Sequence, residues 1–168
     1  IVDTVLYNTK LFFDGELVDA GLAIDSGKIV KISKISNLPS ASTKIDLKGC
    51  ITLPGLIDAH VHLRDQNLVY KESFFTGTAS AANGGVTSVI DMPNNKPVTS
   101  DVLALKKRMN EADGNILVNV AFNSAFSANL EEISEIVKAG AVGFKLYLSS
   151  KIGELDDEKD DVLIAAFL

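Results

Sequence analysis

The sequence predicts an α/β protein: a parallel sheet covered by helices, folded as a (β/α)8 barrel of the TIM type, with a small N-terminal β part in front of it. Three observations predict this class. Residues 1 to about 52 read as short β-leaning pieces separated by tight-turn dipeptides. From Leu56 onward the rhythm changes to alternating apolar strands and amphipathic helices, which implies parallel strands with crossover helices. An open doubly wound sheet also satisfies that alternation. The third observation separates the two: chemically capable side chains fall at the C-terminal ends of the strands, where barrels of this kind carry their sites.

In the N-terminal part, Val2 to Tyr7, Lys10 to Phe13, Gly21 to Asp25 and Lys28 to Ile35 are the β-like pieces, with Asp14-Gly15 and Ser26-Gly27 as turn signals. Pro39 to Lys44 reads as a polar link, and Ile45 to Leu53 as the approach to the first barrel strand. Lys71 to Asn83 then reads as a helix stopped by Gly84-Gly85, and Val86 to Met92 as a buried strand. Ser100 or Asp101 can cap a helix bearing Val102, Leu105 and Met109 on one face. Ile116 to Phe122 is the third strand. Asn129 to Ala139, with Leu130, Ile133 and Val137 as its apolar stripe, is the third helix, and Ala141 to Leu148 the fourth strand. Val162 to Leu168 begins a fourth helix. The expected organisation is a small β-sandwich part over 1–52 and a barrel over 53–168. Four βα units amount to about half of a barrel, which typically takes about 250 residues, so the chain is expected to be the N-terminal portion of a longer protein.

The stretch Leu53 to Asp65, LPGLIDAHVHLRD, concentrates the chemistry. On a strand, alternate side chains share a face, so Asp58, His60, His62 and Arg64 point one way and Ile57, Ala59, Val61 and Leu63 the other. Two imidazoles at i and i+2 can reach one cation, since neutral imidazole is a good ligand for zinc-like metals. Taken alone, a His-x-His reads more readily as two partly buried rings bonded to their neighbours. The surrounding sequence decides between the two readings.

PGLIDAHVHLRD resembles the opening signature of the cyclic amidohydrolases, the group containing dihydroorotase, allantoinase and hydantoinase. DMPNNKPVT at Asp91 to Thr99 and GAVGFKLYLSS at Gly140 to Ser150 extend the resemblance along the chain in the same order. The resemblance implies a metal-dependent hydrolase barrel with His60, His62 and Lys145 as metal ligands. A lysine ammonium has no lone pair to offer. As a carbamate, Lys145 presents two anionic oxygens able to bridge two cations, and two zinc ions are the implied cofactor. Asp58, deeper on the face of the histidines, is expected either to orient an imidazole from behind or to form a salt bridge within the strand layer. Arg64 can grip a carboxylate through two parallel hydrogen bonds, and Asn94 can add an amide donor. The resemblance assigns both to recognition of a substrate carboxylate, and that pair points to the dihydroorotase branch. The implied reaction is the reversible interconversion of dihydroorotate and carbamoyl-aspartate, driven by a hydroxide on the metals. The alternatives are an allantoinase or hydantoinase reaction, or a non-catalytic relative. The chain departs from the family in having only two His. The resemblance implies that further His ligands and the catalytic carboxylate come from later strands. The 168 residues alone are therefore expected to be inactive.

Composition sets the remaining expectations. The chain is 46% hydrophobic and carries a net charge of -6, as soluble globular proteins do, and has no basic cluster of the kind that holds nucleic acid. No apolar run approaches the roughly 18 residues of a membrane helix, and the N-terminus lacks a signal pattern. Its single cysteine, Cys50, forbids an internal disulfide and suits a reducing cytoplasm. The expected partner is a small-molecule substrate. Unpaired sheet edges and uncovered apolar surface make a protein ending at Leu168 expected to be either associated, as a homo-oligomer, or partly disordered.

Overall fold

The computed structural model describes residues 1–127, 129–147 and 164–165, and the chain divides into two compact units, Ile1–Pro54 and Gly55–Leu168. The first unit is one mixed sheet. Its strands are β1 (Val2–Phe13), β2 (Glu16–Asp25), β3 (Lys28–Ser33), β4 (Ala41–Asp46) and β5 (Ile51–Thr52). The order is β3-β2-β1-β4, with β5 pairing β1 beyond β4. Both expected hairpin turns form with two consecutive left-handed residues, Asp14 at φ 51° and Gly15 at 83°, then Ser26 at 51° and Gly27 at 73°. That pattern matches the twist of the flanking antiparallel strands. Val5, Leu11, Leu22 and Ala23 are its buried apolar residues.

Two expectations for this unit need correction. Val2–Tyr7 and Lys10–Phe13 are a single strand, because one extra residue is absorbed as a bulge where β1 slips on β2 between Leu6 and Thr9. Asn8 takes a positive φ of 55° there, and its amide donates to Asp46 Oδ1 at 2.9 Å. The polar link over 39–44 is largely a strand, since β4 pairs in parallel with β1 from Val2↔Ala41 to Tyr7↔Asp46. An exposed strand needs no apolar alternation to form a ladder.

The second unit is a four-stranded parallel sheet in the order β6-β7-β8-β9, made of β6 (Leu56–Val61), β7 (Val86–Asp91), β8 (Asn119–Ala125) and β9 (Gly143–Lys145). Helices α1 (Phe74–Asn83), α2 (Val102–Ala112) and α3 (Leu130–Lys138) connect the strands. These are successive βα units of a barrel. One apolar core lies between sheet and helices, built on Leu63, Phe74, Val89, Leu105, Phe122 and Ile136. No helix among the described residues is long and apolar enough to cross a membrane.

Each helix begins where a side chain can cap it. Ser73 and Thr76 form a capping box, which starts α1 at Phe74 rather than at Lys71. Gly85 follows its end at φ 79°, a conformation that suits glycine. Asp101, not Ser100, caps α2 by accepting the Ala104 N–H at 2.7 Å. Asn129 caps α3. Among the α3 side chains described, Ile136 is the buried one, while Val137 is 52% exposed, so that part of the stripe is rotated by about one residue from the expected one. The third strand is displaced too, to Asn119–Ala125. The Leu117 N–H is taken by Thr78 Oγ1 at 3.1 Å instead of a strand neighbour, so the ladder begins later. The fourth strand is described as Gly143–Lys145; Leu148 and the expected helix over Val162 to Leu168, apart from helical Ile164 and Ala165, lie outside the described residues.

Candidate active site

The C-terminal ends of the four parallel strands lie along one edge of their sheet, as parallel pairing requires. Val61 pairs with Asp91, Asp91 with Phe122, and Ala125 with Lys145. Val61 and Leu63 pack into the helix-side core, so the rings of His60 and His62, which alternate with them, belong to the opposite face. The ring centres stand 5.4 Å apart. Two imidazoles on one tetrahedral cation, each about 2.1 Å away through nitrogen, place their ring centres roughly 5 Å apart, so the separation fits a shared ion.

Asn94, in the loop after β7, fixes one of the rings. His62 Nδ1 lies 2.6 Å from Asn94 Oδ1, and an amide oxygen can only accept. The Nδ1 therefore carries the proton, leaving Nε2 as the lone-pair nitrogen, the arrangement that orients a metal-binding histidine. Burial holds the His62 imidazole below its ordinary value, the Asn94 bond opposes that shift, and the charges of Arg64 and His60 add to it. The neutral, ligating form is favoured.

Asp58 behaves differently from the expectation. The register of β6 on β7 slips between Asp58 and Val61, where three steps on β6 face two on β7. This bulge breaks strict alternation. Asp58 lines the helix-side cleft with Val61, Leu63, Gly77 and Ala81, away from the histidine rings. Its Oδ1 accepts the His60 backbone N–H at 3.0 Å, so it bonds the strand's main chain and no imidazole.

Arg64 opens a run of three left-handed residues, with Arg64, Asp65 and Gln66 at φ 50°, 51° and 49°. Such a run costs about 1–2 kcal/mol per residue and persists only when its surroundings impose it. Asp65 accepts the Gln66 and Phe74 N–H groups at 2.6 and 2.7 Å, and its own N–H donates to Glu72 C=O at 3.0 Å. Asn95 donates to Gln66 Oε1 at 2.9 Å and accepts from Thr99 Oγ1. Asn95 thus braces the turn, leaving Asn94 to His62. Among the described residues the Arg64 guanidinium has no hydrogen-bonded or ion-paired partner. Its charge is nevertheless felt by His62, by Glu72 and by Tyr147, which brings the ends of β6 and β9 into one electrostatic neighbourhood.

Lys145 is half-buried at the end of β9, with Nζ 5.4 Å from the Tyr147 ring centre and no ion pair among the described residues. The internal salt bridge that would explain a lysine here in ordinary structural terms is thus not formed among them. Burial raises the Tyr147 phenol above its usual range, and among the described residues its buried hydroxyl has no hydrogen-bond partner. Among the described residues no group of three or more His, Cys, Asp or Glu side chains gathers as a metal cage. His60 and His62 at the end of β6 and Lys145 at the end of β9 lie along the same C-terminal edge of the parallel sheet. They fit a cation only if the lysine is modified to an anionic ligand.

The amidohydrolase family model matches residues 51–152, a span that includes both histidines and Lys145. The chain belongs to the amidohydrolase family. It is 33% identical over 160 residues to a dihydroorotase of Methanosarcina mazei, covering 95% of this chain and 35% of that protein. It is 32% identical over 150 residues to an allantoinase of Salmonella choleraesuis, covering 88% of this chain and 33% of that one. Among solved structures, L-hydantoinase (dihydropyrimidinase) from Arthrobacter aurescens superposes with a TM-score of 0.89 at 30% identity, covering 99% of this chain and 38% of that chain. The chain spans about a third of the length of these relatives. As a member of the amidohydrolase family it carries the first four βα units of the barrel, and its mixed sheet is the small N-terminal part.

Sequence reasoning missed Asp91 and Arg108. Asp91 ends an apolar strand, and Arg108 falls three residues after Leu105 in the middle of a buried stripe. Opposite charges in two apolar patterns were the available signal.

Proposed function

We propose that the protein of which this chain forms part is a cyclic amide hydrolase of the dihydroorotase kind, interconverting dihydroorotate and carbamoyl-aspartate. The observation that carries the reading is the Arg64 guanidinium, held on an imposed turn beside His62 and without a partner among the described residues. A planar cation so placed is suited to a ring substrate bearing a carboxylate, which it grips through a bidentate pair. With its oxygen committed to His62, Asn94 still has its NH2 group to donate to the same anion.

In this reading His60, His62 and a carbamate on Lys145 hold divalent metal, zinc by ligand type. When bound, such ions supply Lewis acidity and lower the pKa of a water toward neutrality. The chain's own residues do the rest of what is assigned here. His62 is kept neutral by burial and held in one tautomer by Asn94. Arg64 orients the ring by its carboxylate so that the scissile amide faces the histidines.

Similarity to an allantoinase and a hydantoinase supports a second reading, hydrolysis of an uncarboxylated cyclic amide. Elemental analysis of the purified full-length protein, with kcat/KM for dihydroorotate, allantoin and hydantoin, separates the two. The first reading requires bound metal and the highest kcat/KM on dihydroorotate. Turnover of allantoin or hydantoin with dihydroorotate untouched selects the second. A metal-free protein inert toward all three is a non-catalytic relative.

A further inference from the structure

We propose that Arg108, on α2, and Asp91, at the end of β7, are positioning residues that set the aim of Arg64 and thereby the preference for a carboxylated ring. The inference rests on the reading of Arg64 as the carboxylate grip.

Arg108 and Asp91 are 1% and 2% exposed. Arg108 Nε and Nη2 both donate to Asp91 Oδ2, at 2.9 and 2.8 Å. The remaining bonds of the pair leave it and end on the site loop. Asp91 Oδ1 accepts the Leu63 N–H at 2.9 Å, and Arg108 Nη1 donates to the Arg64 carbonyl at 2.6 Å. The two backbone groups flank the peptide that joins Leu63 to Arg64. One salt bridge therefore holds the peptides on either side of it, His62–Leu63 through Asp91 and Arg64–Asp65 through Arg108, at the point where the chain enters its left-handed run. The guanidinium is itself clamped, with Cζ 4.2 Å from the centre of the Phe74 ring.

A buried ion pair is a poor device for stability alone, because desolvation offsets most of the Coulombic gain. It is a good device for geometry. The pair connects three elements, β7, α2 and the loop after β6, through directional bonds that a packed apolar cluster cannot supply. Lysine at position 108 keeps the charge but cannot reach both the carboxylate and the Arg64 carbonyl with a rigid fork. The Arg64–Asp65 peptide then loses its anchor, and the Arg64 guanidinium loses its fixed direction.

The test uses calorimetric titration of the full-length protein with orotate, a planar carboxylated ring, and with uracil, the same ring without the carboxylate. Wild type is expected to prefer orotate. Arg64→Met should lower that preference roughly tenfold or more, as expected for a lost charge-assisted pair. Arg108→Lys should lower it by a comparable factor with uracil affinity unchanged, and the double variant should be no worse than either single one, since both act through one group. A merely structural role for Arg108 would weaken both ligands alike or shift only the melting temperature. Should Arg108→Lys not fold, Asp91→Leu/Arg108→Met removes both charges together, a change that buried pairs often tolerate, while still deleting both bonds to the loop. Loss of preference in Arg64→Met but full preference in the position-108 variants overturns the positioning role and leaves Arg64 in place. A wild type indifferent to the carboxylate overturns the reading of Arg64, and the inference with it.

Discussion

In the N-terminal sheet the buried polar side chain is Thr9, whose hydroxyl lies 2.6 Å from the Cys50 carbonyl and 2.7 Å from Thr52 Oγ1. In the parallel-sheet unit Asp91, Asn95, Thr99, Arg108 and Ser124 are all buried, and most of their bonds reach loops at one edge of the sheet. The antiparallel part of the first unit, β1-β2-β3, is held by local hairpins whose turns are written in adjacent residues, and β4 and β5 join it by parallel pairing with β1. In the second, these five buried polar groups shape the loops that carry His62, Arg64 and Asn94, while buried Thr78 and Ser127 bond elsewhere. An unsatisfied buried polar group is costly, so such a concentration is retained where a fixed geometry is needed. Hairpins need no such scaffolding.

The largest expected effect lies at Lys145. Lys145→Ala should take activity of the full-length protein to background and lower its metal content, and added short carboxylic acids should restore part of it by standing in for the carbamate. Wild-type turnover and metal content in that variant would exclude the bridging role. Next is Asp91→Ala, which leaves Arg108 buried without its counter-ion. A loss of about 3–5 kcal/mol in urea unfolding is expected for breaking a buried pair from one side. A loss under about 1 kcal/mol would show that solvent reaches Arg108.

The matching change in the N-terminal unit is milder. Gly15 sits at φ 83° with open space around its Cβ direction, so Gly15→Ala meets backbone strain and no clash. About 1 kcal/mol is expected, with no change in activity, by the same unfolding measurement. The smallest effect concerns pH. Burial lowers the His62 pKa from its ordinary 6.5, so the unfolded chain binds that proton more tightly than the folded one. Stability is fully present above the ordinary imidazole value and falls as pH drops through it. Metal-free wild type should lose slightly more stability than His62→Gln between about pH 7.5 and pH 5.5. Equal losses would mean that His62 is not desolvated.

Much of this arrangement is legible in the residues. The alternation of His60 and His62 with Val61 and Leu63 predicts which side chains meet the helices, and Asp14-Gly15 and Ser26-Gly27 predict the hairpins. Asp58 was not legible, because a one-residue bulge reverses the face of everything before it, and no residue between Asp58 and Val61 announces the slip. The stripe of α3 was misread because Ile133, Ile136 and Val137 allow two adjacent faces, and packing against the core selects Ile136. The third strand starts late because a threonine hydroxyl on α1 captures the Leu117 N–H, a bond between residues 39 positions apart. The Asp91–Arg108 pair is likewise a tertiary fact. Neither local propensity nor spacing ties the end of a strand to the second turn of the next helix.

In the proposed reading the second unit builds its loops to aim Arg64 at the carboxylate of a ring held beside the histidines. The direct measurement is the kinetics of Arg64→Lys in the full-length protein with dihydroorotate. The account predicts a KM raised by roughly tenfold or more and a correspondingly lower kcat/KM, because lysine keeps the charge but cannot reproduce the fork. An unchanged kcat/KM for dihydroorotate would contradict it and remove Arg64 from the site.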